Sequence, residues 1–320
     1  MRIHGVEFKP VWDASGVRGF FGEGYPYHRF LRPLGLDFTG STFVAKTTTL
    51  LPRIGNMTLR ADGITPRELF PDCVRIRFFK GVALNAVGLS GPGAASLIGT
   101  GRWNTRTESF QISFMSVNTD AVARFDEWRT FLLLIKEYSR LWRAQFGIQK
   151  NYSCPNVGLH LGGLISEMNA DAELIGQILD VPYFIKINIL MPVAAVADVL
   201  RHPAIDGIVI TNTLPWGVLP DQIDWHGLFG TDESPLTHLG GGGLSGKPLL
   251  SLLQRWLISA REVGIQKHIN AGGGILSPQD CASLQYADSF ALGSIAMLRG
   301  WRVRATIKEA YRLKGVPWKQ

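Results

Sequence analysis

The feature that most constrains this chain is a recurrence. A short apolar run ends on a polar residue or a glycine, and a helix-like segment usually follows. In order, the runs are STFVAK (41–46), VALNAVG ending near Asn85, QISFMSVN ending near Ser116 and Asn118, and GIQKNYSC ending at Cys154. They continue with YFIKIN containing Lys186, GIVITNT ending at Asn212 and Thr213, QKHINAGGG ending at 272–274, and SFALGS ending at Gly293 and Ser294. Eight such runs alternating with helices predict an α/β fold, a (β/α)8 barrel whose parallel crossovers cover the outside. The helices are legible too. ADAELIGQILD places Leu174, Ile175, Ile178 and Leu179 on one face behind Asp171, a candidate cap. SPQD at 277–280 offers a cap, a proline at the first helical position and an acid in the first turn. SLLQRWLISAREVG spaces Leu252, Leu253, Trp256, Leu257 and Ala260 helically and stops at Gly264. The competing fold, an open doubly wound sheet, lacks its GxGxxG fingerprint after the first strand.

A length of 320 residues suits one such barrel as a single domain over 1–320. The segment from about 47 to 80 carries proline, glycine and the β-like run CVRIRFF, and predicts a β-rich excursion at the barrel mouth. FKPVWDASGVRGFF, before the first counted run, combines apolar residues with Gly16 and Gly19, so its backbone can turn tightly or approach a ligand. No window of 18 apolar residues predicts a transmembrane span, and the N-terminal residues lack a signal-peptide pattern. Cys73, Cys154 and Cys281 are dispersed and odd in number, which points to a reducing compartment and a cytoplasmic location. None of them forms a CxxC pair and no histidines carry ligand spacing, which excludes a zinc site. The net charge of +7 suits anionic ligands; the scattered basic residues come with no nucleic-acid-binding motif.

In barrels of this type the functional groups project from the C-terminal strand ends. Here those ends carry Lys46, Asn85, Cys154, Lys186, Asn212 and the late glycines, which predicts one shared site. Pro155 pushes Cys154 towards extended or turn geometry at a strand end, where a thiol flanked by Asn151 and Asn156 is a candidate nucleophile or general base. Lys46 and Lys186 belong to apolar runs, where an unpaired ammonium is costly. GGGGLSGKP (240–248) nearly matches a P-loop, but Pro248 stands where the magnesium-binding hydroxyl belongs, so a nucleoside triphosphatase is excluded. With AGGGI (271–275) and LGS (292–294), it predicts backbone amides that hold a phosphate-bearing cofactor.

The motifs FKPVWDASG, AKTTTLLPRIGNMTLR, NAVGL, NYSCPN, IKI, TNT, GGLSGKPL, AGGGI and ALGS occur in one order from about Phe8 to Arg299. In that order the chain resembles the dihydroorotate dehydrogenase family of FMN-dependent barrels. The resemblance implies FMN across the barrel mouth, with Ala14, Ser15, Gly16 and Lys46 along the flavin and Lys186 beside its ring. Gly246, Gly273, Gly274, Gly293 and Ser294 would hold the phosphate, and Asn118 would be a further flavin contact. Asn85, Asn151, Asn156 and Asn212, with Thr213, match the residues that bind the pyrimidine ring and its carboxylate; Cys154 matches the base. A cysteine there marks the soluble first class of the family and a serine the membrane-associated second class.

The implied reaction is oxidation of dihydroorotate to orotate in pyrimidine synthesis. The acceptor is open among fumarate, a quinone and an iron–sulfur partner subunit, and a homodimer is expected by resemblance. Departures exist: Gly91 stands where the family often has a second asparagine, and Asp13 precedes ASG. GGLSGKPL and TNT are closer to the second class. Two further readings remain, a sibling FMN barrel acting on another cyclic or unsaturated substrate and a non-catalytic barrel that keeps the pocket.

Overall fold

Parallel strands wind around a common axis in the computed structural model, which describes residues 1–152 and 161–318. The barrel strands are β1 (Val11–Asp13), β2 (Phe43–Val44), β3 (Phe110–Phe114), β4 (Phe146–Asn151), β5 (Tyr183–Ile187), β6 (Gly207–Ile210), β7 (His268–Ala271) and β8 (Ser289–Leu292). Each neighbours the next in the sheet, β8 pairs back onto β1, and a parallel bridge between Trp12 and Thr42 joins β1 to β2. The expected (β/α)8 barrel is therefore the architecture.

Eight strands form it, but their membership differs from the sequence expectation. The first barrel strand is the short Val11–Asp13, inside the segment read as a turn or ligand approach. Val82–Asn85 lies outside the barrel, in a four-stranded antiparallel sheet ordered Leu214–Pro215, Gly243–Gly246, Val82–Asn85, Val74–Arg77. Hairpin geometry explains this: Gly81 turns the chain with φ +66°, and Val82 pairs directly with Arg77. The β-rich excursion thus extends past residue 80, and Gly243–Gly246 is a strand rather than a loop.

Period-two alternation sorts the barrel interior into layers. Phe8, Trp12, Val44, Phe184 and Val209 pack as an apolar floor. Two residues further along their strands, Ala14, Lys46, Lys186 and Thr211 face the C-terminal mouth. The helix Pro248–Glu262 buries Leu252, Leu253, Trp256, Leu257 and Ala260 as its spacing predicts, with Gly264 at φ +90° just beyond. Pro278–Ala282 likewise begins where SPQD predicts, with Asp280 accepting from the Leu276 amide and the Ser277 hydroxyl. Asp171 is not a cap. The helix runs from Leu161 to Ile178, and Asp171 is buried within it, accepting from the Tyr152 hydroxyl (2.7 Å) and pairing with Lys150. The Lys150 charge on β4 draws this acid inward instead of leaving it at a helix end.

Candidate active site

A cavity of about 1130 Å³ occupies the C-terminal mouth, between the barrel and the antiparallel sheet. Its floor is built by the loops after β1 and β2. Ala14, Ser15 and Gly16 line it, and the Ser15 hydroxyl bonds to the Ala45 carbonyl (3.0 Å) and Thr47 (2.8 Å), which continues to Ser113 (2.8 Å). Gly16 has φ +95°, a conformation that suits glycine and holds the backbone flush with Lys46.

Lys46 lies just past the end of β2, its ammonium donating to the Ser90 carbonyl and resting 4.7 Å from the Phe20 ring centre. Burial pulls it down from the ordinary lysine range to about 8, against the opposing influence of Glu23 and Cys73. Lys186 sits in β5, and burial likewise brings it down to about 8. Two ammonium groups with weakened proton affinity therefore face one cavity. Its acidic lining residue among those described is Glu68, in the excursion.

Side-chain amides line the cavity. Asn212 donates to the Asn151 side-chain carbonyl (3.1 Å) and accepts from the Thr213 amide (2.9 Å). Asn85 enters from the antiparallel sheet and donates to the Gly243 carbonyl (3.3 Å). All four line the cavity, together with Asn118, whose side-chain oxygen accepts from the Asp120 amide. Cys154 and Asn156 lie outside the described residues.

The phosphate-binding expectation falls on two loops and a strand end. Gly273 and Gly274 follow β7, Gly293 and Ser294 follow β8, and Gly246 ends a strand of the antiparallel sheet; all five line the cavity. The amide N–H groups of Gly273, Gly274, Gly293 and Ser294 reach no acceptor among the described residues. A Cβ at Gly274 would lie 2.7 Å from the Leu250 amide nitrogen at the start of the long helix, and one at Gly246 would lie 2.2 Å from the Gly81 carbonyl oxygen. Donors without an acceptor among the described residues, on close-packed glycine loops, could hold an anion.

Two departures acquire physical causes. Asp13 is buried and bonds Arg18 (2.6 Å) and the Ser41 hydroxyl (2.7 Å); desolvation raises its pKa although both partners oppose that shift. It anchors the loop after β1 and does not line the cavity. Gly91 exchanges both backbone hydrogen bonds with Arg53, and a Cβ there would meet Phe20 at 2.7 Å, so Phe20 occupies the space that a side chain would need.

Sequence reasoning missed part of the lining. Tyr25, Tyr27, Phe30 and Leu31 reach the cavity from the loop after β1, and Leu69, Phe70 and Pro71 from the excursion. The aromatic density of GYPYHRFL is the signal that could have found the first group. Comparison with protein-family models returns no match, and neither does comparison with curated protein sequences.

Proposed function

We propose that this chain is an FMN-dependent oxidoreductase that oxidises dihydroorotate to orotate. The observation that carries the reading is one cavity combining four backbone amide donors that reach no acceptor among the described residues with two buried lysines and five asparagines, Asn85, Asn151 and Asn212 among them. Its 1130 Å³ exceeds the 300–1,000 Å³ of an ordinary ligand pocket, leaving room for a cofactor and a small planar substrate together. The residues fit FMN: the glycine loops would hold the phosphate, and Ala14, Ser15, Gly16, Lys46 and Lys186 would lie along the ring system. Bound there, FMN supplies a two-electron acceptor for the hydride that leaves C6 of the substrate.

The chain's own residues do the rest. The amides of Asn85, Asn151 and Asn212, with Thr213, present neutral donors and acceptors suited to a planar polar ring. Lys186 offers positive charge that balances an anion in a water-poor site. By sequence position Cys154 takes the C5 proton, and a general base of this kind is worth roughly 10²–10⁴-fold. A second reading keeps the cofactor and changes the substrate, favoured by the Phe20 ring that fills the space beside Gly91.

Anaerobic mixing of FMN-loaded protein with dihydroorotate tests both. Bleaching of the oxidised-flavin band is expected, slowed by about 10²–10⁴-fold in Cys154→Ala. Yellow protein that does not bleach selects the second reading, and failure to retain FMN overturns both.

A further inference from the structure

A second cavity, of about 450 Å³, is lined by Phe21, Arg102, Thr105, Arg106, Thr107 and Glu108, and shares none of these residues with the larger one. Arg102 and Arg106 stand four residues apart in RWNTR, just before β3, and both reach this cleft. The Arg102 guanidinium lies over the Phe21 ring, 4.3 Å from its centre, and that of Arg106 lies over Phe43 at 4.1 Å. Stacking of this kind occupies the face of a guanidinium and leaves its N–H edge for hydrogen bonds in the plane. The turn below is well tied. Glu23 accepts from the Phe20 (2.9 Å) and Phe21 (2.8 Å) amides, and the Trp103 ring N–H donates to the Phe20 carbonyl (3.0 Å). Arg106 Nη1 donates to the Phe21 carbonyl (3.2 Å). Both arginines are thus held in place in advance, which lowers the ordering cost of binding a ligand.

The donors of this pair are not used up. Arg106 Nε is buried and reaches no acceptor among the described residues, where Arg106 also forms no ion pair. A buried charged donor left unmatched is costly. The acids nearby are engaged elsewhere. Asp13 bonds Arg18 and Ser41, Glu23 serves two amides and stands 4.0 Å from Arg102, and Glu108 is exposed and 4.0 Å from Lys9. Burial pulls Arg106 down to about 10, and the Arg18 charge adds to that fall against Asp13 and Glu108. An anion at the cleft would supply the missing countercharge. We propose that Arg102 and Arg106 bind a small oxyanion, inorganic phosphate or the phosphate of a monoester. A planar guanidinium fork matches such an anion with two parallel hydrogen bonds, which a lysine cannot do. The Thr105 hydroxyl already donates to the Arg102 carbonyl (3.1 Å), so Thr107 is the hydroxyl left to add a neutral donor. Glu108, also in the lining, opposes a polyanion that would run on past the two arginines. This site owes nothing to the identity of the molecule in the larger cavity.

The test is calorimetric titration of the full chain with inorganic phosphate and, separately, with glycerol 3-phosphate, at constant ionic strength. Saturable binding is expected, weakened on the order of 10–100-fold by Arg102→Gln, which removes one charged donor set. Arg102 is half-exposed, so that variant should keep the parent melting temperature, which separates lost binding from lost folding. Arg106→Lys keeps the charge and loses the fork, and it should also weaken binding. Tighter binding of glycerol 3-phosphate than of phosphate identifies a monoester as the ligand, and the reverse identifies the free ion. Absence of saturable binding overturns the inference. So does binding that both arginine variants keep and Gly274→Ala abolishes, which places the phosphate on the glycine loops of the larger cavity.

Discussion

At the scale of single residues, the two cavity lysines set how the site responds to pH. Both stand near 8 instead of the usual lysine value of 10.5, and burial is the leading cause for each. Below about pH 8 each carries its proton in the folded and unfolded chain alike, and the folded state bears a penalty of about 3 kcal/mol, from roughly 2.5 pK units at 1.36 kcal/mol each. Between about 8 and 10.5 the unfolded chain binds more protons, so the ligand-free protein gains stability as pH rises through that window. An anionic ligand favours the charged form and raises both lysines again. Calorimetric titration of orotate into the FMN-loaded protein near pH 9, in buffers of different ionisation enthalpy, should therefore report net proton uptake. Lys186→Met should diminish that uptake. Unchanged uptake in the variant would remove Lys186 from the anion-binding role.

At the scale of elements, the glycine loops can be separated from ordinary turns. Gly274 and Gly264 both have positive φ, +76° and +90°. A Cβ at Gly264 meets nothing within 4 Å, whereas one at Gly274 meets Leu250 at 2.7 Å. Alanine at either position carries a left-handed backbone penalty of about 1–2 kcal/mol. Only Gly274→Ala must also push the loop away from the helix, displacing the free amides. Both variants should lose comparable backbone stability, but FMN affinity should fall in Gly274→Ala alone. Equal affinity in the two would refute the cradle.

Elements also mark where reading the sequence stops. YFIKI and GIQKN are apolar enough to be recognised as buried parallel strands, and LLSLLQRWLISA declares its helical face by spacing. Val11–Asp13 is only three residues long and carries its one barrel register next to Pro10, so length concealed it. Val82–Asn85 has the same apolar look as a barrel strand, and only its partner, the glycine-rich Gly243–Gly246, distinguishes it. That pairing spans more than 150 residues of sequence, and no local pattern encodes it. Asp171 was misread for a related reason: a buried countercharge at Lys150 is a tertiary fact.

At the scale of the molecule, the described lining of the cavity comes from the loops after β1, β2, β3, β6, β7 and β8, from Asn151 of β4 and Lys186 of β5, and from the antiparallel sheet, so its shape depends on barrel closure. Most of the polar lining was legible because barrels place function at strand ends; the apolar rim was not, since Phe30 and Phe70 belong to connections without regular spacing. A ligand that bridges these parts binds the folded chain alone and must stabilise it by mass action. FMN at 100 times its dissociation constant should add about 2.7 kcal/mol and raise the melting temperature by a few degrees. Riboflavin carries the same ring system without the phosphate. If the amides of Gly273, Gly274, Gly293 and Ser294 hold that phosphate, riboflavin at equal concentration should give a clearly smaller shift. Equal shifts would move the binding free energy onto the ring contacts at Ala14–Gly16 and the lysines, and no shift from either would argue against a flavin in this cavity.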